Sequence, residues 1–274
     1  MKRKSFHRTS ALGTVAGLGL ALSVLPIAPA HAQTFVPCGN VTALRNAINT
    51  SNTTNENITL APFCTYTVTG TALPTVTGSY SVSGFNTTVA RDAGTANFRV
   101  FSVASGGDLT LNSIHVRGGN LPAGEGGGIQ VSGPGSTLVV QGGSVRNNNA
   151  GNGGGIAVRD LASARLNSTL ISDNHASGLG GGVSHDGTTL QVNNTRITGN
   201  SADLRGGGLH THGPVAAPPA TATLSASQVT ANSATDGGGI YEGTNSQVTL
   251  AFTGVTNNTP NNCRPVGAVP GCAN

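Results

Sequence analysis

Gly153-Gly154-Gly155-Ile156-Ala157-Val158-Arg159 opens a stretch that runs through Ala164-Arg165-Leu166 and Leu170-Ile171-Ser172 to Asp173-Asn174-His175-Ala176. The same layout recurs along the chain. A glycine triplet followed by an aliphatic appears at Gly126-Gly127-Gly128-Ile129, again at 153–156, and at Gly180-Gly181-Gly182-Val183, Gly206-Gly207-Gly208-Leu209 and Gly237-Gly238-Gly239-Ile240. The aliphatics stand 27, 27, 26 and 31 residues apart, and the long interval holds an apparent loop insertion, Gly213 to Ala220.

A second phase is locked to the first. An apolar residue is followed by another two positions on, a third at seven and an Asn at ten. Leu138, Val140, Val145 and Asn148 fit, as do Ala164, Leu166, Ile171 and Asn174. Leu190, Val192, Ile197 and Asn200 repeat it, then Ala222, Leu224, Val229 and Asn232, then Val248, Leu250, Val255 and Asn258. Leu109, Leu111, Val116 and Asn120 form an earlier copy with one extra residue.

Each copy holds three short period-two segments divided by turn residues, and glycines interrupt any helical periodicity. Segments this short cannot bury an apolar face alone. Stacked coils of about 26 residues, each strand pairing in parallel with its equivalent in the next coil, solve that problem. The expected fold is all-β: a right-handed parallel β-helix solenoid, with Ile129, Ile156, Val183, Leu209 and Ile240 as one interior column. The recurrent Asn is expected in a tight turn, where it tolerates the left-handed region. Its side chain can bond to backbone or to the next Asn.

The rest of the chain fits this frame. It has 274 residues, with 41 Gly, 9% charged and 4% aromatic residues. Lys2, Arg3, Lys4 and Arg8, the apolar run Ala11 to Leu25 and the small residues Ala30 and Ala32 read as a secretory signal peptide over residues 1–32. Its removal leaves ten basic residues against ten acidic and no lysine. A neutral export product lacks the cationic stripe that nucleic acid requires. Lysine-dependent covalent chemistry is excluded. An exported chain keeps disulfides, and the local pairs Cys38–Cys64 and Cys263–Cys272 are favoured among the three connectivities. No C-x-x-C spacing and no neighbouring His marks the cysteines as metal ligands, and no cofactor is assigned.

Asn40 to Asn49 is the one helix expected, with Asn40 as its cap and Leu44, Ala47 and Ile48 on one face. It is read as an N-terminal capping helix over the open end of the stack. Residues 33–108 then form the cap and irregular first coils, 109–258 the repeats, and 259–274 a disulfide-closed C-terminal cap.

The copies resemble the repeats of chlamydial-type polymorphic outer-membrane proteins, with Gly-Gly-aliphatic elements and, at Val145-Arg146-Asn147-Asn148 and its equivalents, Val or Ile in place of the Phe of Phe-x-x-Asn. More broadly the chain resembles secreted bacterial β-helix proteins of the pectin-lyase-like superfamily. The segments Cys38 to Ile48 and Asn258 to Cys263 fit that group. The resemblance implies enzymes that cleave acidic polysaccharides. Their lyases need clustered carboxylates for calcium and a basic Arg or Lys. Their hydrolases need three aspartates, including an adjacent pair. This chain has no Asp-Asp pair, and its ten carboxylates are scattered. It leans away from catalysis.

Alternation places the second and fourth residues after each triplet on the outside. Those columns read Gln130, Ala157, Ser184, His210, Tyr241 and Ser132, Arg159, Asp186, His212, Gly243. Coils about 4.8 Å apart would gather Arg159, Asp186, His210, His212 and Tyr241 into one patch. The patch suits a carbohydrate contact, or proton transfer through Asp beside His. The blander reading is a solvated ladder with Arg159 paired to Asp186. His210, His212 and Asp186 also make a weak three-ligand metal pattern. His185 counts inward, while His115 and His175 read as surface. A Thr ladder beside the second strand, as ice-binding surfaces use, is broken by Arg165 and Gln191. The expectation is a secreted, extracellular or loosely surface-associated monomer without a membrane span once the signal is removed. It binds a glycan or cell-surface partner, and the alternative is a divergent polysaccharide lyase or glycoside hydrolase.

Overall fold

The computed structural model describes residues 33–104, 106–214 and 218–274. The expected signal peptide, residues 1–32, lies outside the described residues, as do positions 215–217 of the insertion. The chain is an all-β parallel solenoid. One seven-stranded sheet carries the strands that follow the triplets: Phe101–Val103, Ile129–Ser132, Ile156–Arg159, Val183–His185, Leu209–Thr211, Ile240–Glu242 and Cys263–Arg264. We call it the triplet sheet.

A fifteen-stranded sheet wraps two further faces. It is continuous because Ser79–Arg91 and Asp108–Arg117 run round the corner without a break. The second face holds Thr137–Gln141, Ser163–Asn167, Thr189–Asn193, Ala220–Ser225 and Ser246–Ala251. The third face holds Ser144–Arg146, Leu170–Ser172, Arg196–Thr198, Gln228–Thr230 and Gly254–Thr256.

Like stacks on like. Ile129, Ile156, Val183, Leu209 and Ile240 are in register. The second phase stacks equally, with Val116, Val145, Ile171, Ile197, Val229 and Val255 forming another column. Nearly all these side chains have no exposed surface, and they join one core cluster. Burial of each contributes about 1.5–3 kcal/mol.

Helix α1 spans Val41–Thr54, five residues beyond the expected end. Asn40 accepts from the Ala43 amide at 2.9 Å, and Asn55 closes the helix in the left-handed conformation at φ 58°. Leu44, Ala47 and Ile48 pack into the core with Val36, Ile58 and Leu60 of the first coils. Disulfides join Cys38 to Cys64 and Cys263 to Cys272.

The recurrent asparagines form a buried ladder. Nδ2 of Asn148 donates to Oδ1 of Asn174 at 2.9 Å, and Asn174 to Asn200, Asn200 to Asn232 and Asn232 to Asn258 repeat that distance. Asn258 passes it on to Asn262 at 3.1 Å. The same Nδ2 groups donate back to carbonyls of the preceding coil, such as Val145 and Ile171. One expectation is corrected. The ladder Asn is not the left-handed residue; its predecessor is, in Asn147, Asp173, Gly199, Ala231 and Asn257, at φ 52–67°. The positive φ turns the chain inward, so the next side chain points into the interior.

Asn200→Ala strips the amide partners from Asn174 and Asn232 and removes a side-chain donor from the Ile171 carbonyl. Each buried orphan costs about 1–3 kcal/mol. Denaturant unfolding should show a loss of about 3 kcal/mol or more, and a loss under 1 kcal/mol would show that the ladder is not structural.

Candidate functional site

The triplet turn shapes the outward column. Its first glycine has φ 59–67° in all five copies. That bend brings the turn back over the second-position residues. A Cβ on Gly206 would lie 2.7 Å from the Cβ of His210, and one on Gly153 would lie 3.0 Å from that of Ala157. Hence Ala157, Ser184 and His210 are 0%, 3% and 6% exposed although they face away from the core. The column is the recessed floor of the face.

Both predicted columns are in register. Gln130, Ala157, Ser184, His210 and Tyr241 pair in sequence. Beyond the strand ends, the Asp186 amide donates to the Val158 carbonyl at 2.9 Å and the His212 amide to the His185 carbonyl at 2.9 Å. Arg159 Nη2 meets Asp186 Oδ2 at 2.9 Å. The His210 and Tyr241 rings stack at 5.5 Å with an interplanar angle of 11°. His212 Nδ1 lies 3.2 Å from Thr244 Oγ1.

Two members of the patch escaped the alternation argument. Glu125 Oε1 takes the other Arg159 arm at 2.6 Å, and the Arg205 guanidinium lies 4.9 Å from the Tyr241 ring centroid. Both stand immediately before a triplet, in a column reading Glu125, Asn152, Leu179, Arg205 and Asp236. That column is visible in the sequence, but only a known fold shows that it flanks the floor.

The ion-paired centre is half-buried, and two of its polar atoms are unsatisfied. Arg159 Nε and Asp186 Oδ1 are buried and without a hydrogen-bond partner. Burial pushes the Asp186 carboxyl up to about 6; Arg159 pulls against it, while Glu125 and Asp160 add to it. Burial, then the cations His212, Arg205 and Arg159, hold His210 down at about 4. Stacking engages His210, a hydrogen bond to Thr244 engages His212 and the Arg159 ion pair engages Asp186, and among the described residues no group of three ligands is gathered for a metal.

His185 faces inward, as its phase requires. It is fully buried, its Nδ1 lies 3.1 Å from Thr211 Oγ1, and burial holds it down at about 4. His115 and His175 are partly exposed, His115 bonded to Ser144 and Asn86 and His175 to Ser201. A separate concavity of about 400 Å³ opens near the C-terminal end, lined in part by Pro219, Glu242 and Ser246. Its polar lining is already engaged: Glu242 accepts from the Val248 amide and Ser246 donates to the Gly243 carbonyl, both at 2.9 Å.

No family model, curated protein or solved structure matches the chain. Among the described residues no helix is long and apolar enough to cross a membrane.

The buried histidines set a pH dependence. Unfolded His titrates near 6.5, so the native state binds fewer protons between pH 6.5 and about 4. The stability present above 6.5 is lost as the pH falls through that window. Asp186 opposes this: its raised carboxyl makes stability fall as pH rises from about 4 to about 6. Two histidines outweigh one aspartate. Acidification from pH 6.5 to 4 should therefore cost on the order of 3 kcal/mol in denaturant unfolding. Asp186→Asn should steepen the slope and His185→Gln should flatten it. A pH-independent midpoint would contradict the assigned burial.

Proposed function

We propose that this chain is an exported, non-catalytic glycan-binding protein that receives a glycan along the triplet sheet. The observation that carries this reading is the unsatisfied pair at the centre of the patch, Arg159 Nε and Asp186 Oδ1. Buried polar atoms without partners cost free energy, and an unmet donor and an unmet acceptor on two ion-paired side chains mark a patch whose polar groups folding alone leaves unsatisfied. The stacked His210–Tyr241 pair supplies an amphipathic surface beside them. The recessed floor adds a track that continues from coil to coil. Cations and carboxylates alternate there, with Glu125, Arg159, Asp186 and Arg205 close together. That mixture favours a neutral glycan over a strongly charged one. The resemblance to pectin-lyase-like proteins supports a carbohydrate ligand, and the disulfides agree with an extracellular setting.

A second reading rests on Asp186. A carboxyl raised to about 6 beside the carboxylate of Glu125 is the arrangement that lets one group donate a proton while another stabilises charge. It would make the patch the centre of a divergent polysaccharide lyase or glycoside hydrolase.

Affinity electrophoresis of the purified protein through gels holding neutral β-glucan, galactomannan or polygalacturonate separates the two readings. Retardation by a neutral glycan is expected, with Asp186→Ala and Tyr241→Ala each weakening it about 10-fold, the equivalent of one or two charge-assisted or stacking contacts. New reducing ends or unsaturated uronate absorbance, lost in Asp186→Ala, would replace the binder with an enzyme. No retardation and no product would overturn both.

A further inference from the structure

The third face carries a charge arrangement that the glycan site does not use. Arg117 and Arg146 occupy equivalent positions in adjacent coils and pair directly in register. Adjacent strands lie about 4.8 Å apart, so two guanidinium-bearing side chains leave the sheet side by side. Both are exposed. Neither makes an ion pair, a hydrogen bond or a ring contact among the described residues, in contrast to Arg159, Arg91 and Arg264. Arg196, two coils beyond Arg146 in the neighbouring column, is exposed and unpaired as well.

Like charges opposite each other on a sheet destabilise it. The nearest carboxylates by position, Asp92 and Asp173 at the corner, form no bridge to either arginine. Glu125, Asp160, Asp186, Asp236 and Glu242 lie instead on or next to the triplet sheet. Arg117, Arg146 and Arg196 thus outnumber the carboxylates Asp92 and Asp173 beside them, which leaves the third face net positive in a chain whose residues 33–274 are neutral in sum. Concavities of about 330 Å³ and 280 Å³ take in the two arginines, one containing Arg117, Arg91, Asp92 and Asn147, the other Arg146, His115 and Ser144.

We propose that Arg117 and Arg146 form a second binding site, for the sulfate groups of a linear sulfated glycan lying along the coil stack. The planar fork of a guanidinium matches a tetrahedral oxyanion bidentately. An anion between the two forks would remove their repulsion. The Arg117–Arg146 column continues as Ser172, which is buried, and then as Thr198, Thr230 and Thr256 in successive coils, whose partly or fully exposed hydroxyls can meet sugar hydroxyls. The column itself holds no aromatic ring, and the ring beside it, that of His115, is already bonded to Ser144 and Asn86, so nucleobases find no row of free rings to stack on.

Dextran sulfate and uncharged dextran share a backbone and are the probes, with polyphosphate and single-stranded DNA as competitors. Titration calorimetry should show dextran sulfate binding with no response to dextran. Arg117→Ala and Arg146→Ala should each weaken it about 10-fold, and the double variant should lower the dependence of log K on log salt by about two ions, by counterion release. Arg165→Ala, which removes an exposed arginine on the second face bonded to Gln191, should change binding less than about 2-fold. Equal losses for Arg165→Ala would reduce the effect to net charge and overturn the site. Tighter binding of polyphosphate or DNA than of dextran sulfate would overturn the glycan assignment. Asp186→Ala and Tyr241→Ala should leave dextran sulfate binding intact, so this site and the triplet-sheet site stand or fall separately. Thermal melting of the two arginine variants at or above that of the parent would tie the loss to binding, since both side chains are exposed and removing either charge relieves their repulsion.

Discussion

The repeat coils between Asn148 and Asn258 each carry buried polar groups that the next coil satisfies. The asparagine ladder states the constraint most sharply. Each amide gives one hydrogen to the carboxamide of the next coil and another to a carbonyl of the coil before. A second ladder joins the coils at another corner, where the backbone amides of Thr169, Thr195 and Ser227 donate to the hydroxyls of Thr195, Ser227 and Thr253 in the next coil. A slip of one residue would leave both ladders unsatisfied together. Register is held by buried hydrogen bonds as well as by apolar stacking, which explains why copies with an insertion, such as that after Gly213, return to phase.

The same constraint makes function a property of columns. Any outward position in one coil stands above its counterpart in the next, so a short motif spreads into a surface. The triplet's first glycine recesses one such surface by folding the turn over it. Arg159 bridges Glu125 of one coil and Asp186 of another, a three-coil arrangement that no single repeat contains. Stacking Tyr241 on His210 and placing Arg205 nearby extends the patch by two coils.

Much of this was legible in the sequence because two phases of different chemistry agreed. The interior columns, the outward columns of Arg159, Asp186, His210, His212 and Tyr241, the Arg159–Asp186 pair and both disulfides follow from counting. What counting missed has a physical cause. Period-two alternation speaks only inside strands, so it was silent on Glu125 and Arg205, which lie in the turn before the triplet. It also misassigned the left-handed residue. Asn is the usual occupant of that conformation, and here the position before the ladder Asn holds Asn, Asp, Gly or Ala in turn. The hydrogen-bonding demand on the ladder amide needs an inward-pointing side chain, and that outweighed the conformational preference.

The interior behind the patch departs from the rule obeyed elsewhere. One inward column begins as Val131 and Val158, then changes to His185, Thr211 and Glu242. His185 keeps one ring nitrogen buried without a partner, and both it and Glu242 are displaced from their ordinary ionisation by burial. An aliphatic in those places would stabilise the stack, since the column is apolar one coil earlier. The change falls in the same coils that present Asp186, His210, His212 and Tyr241 on the opposite side of the strand. Local rules are most often broken where a protein uses its surface. Here interior and exterior positions alternate along one strand, so a polar interior sets the dipoles directly behind the outward patch. An unsatisfied interior atom, His185 Nε2, and two unsatisfied exterior atoms, Arg159 Nε and Asp186 Oδ1, thus fall in two adjacent coils of an otherwise regular stack, where folding alone gives no reason for them.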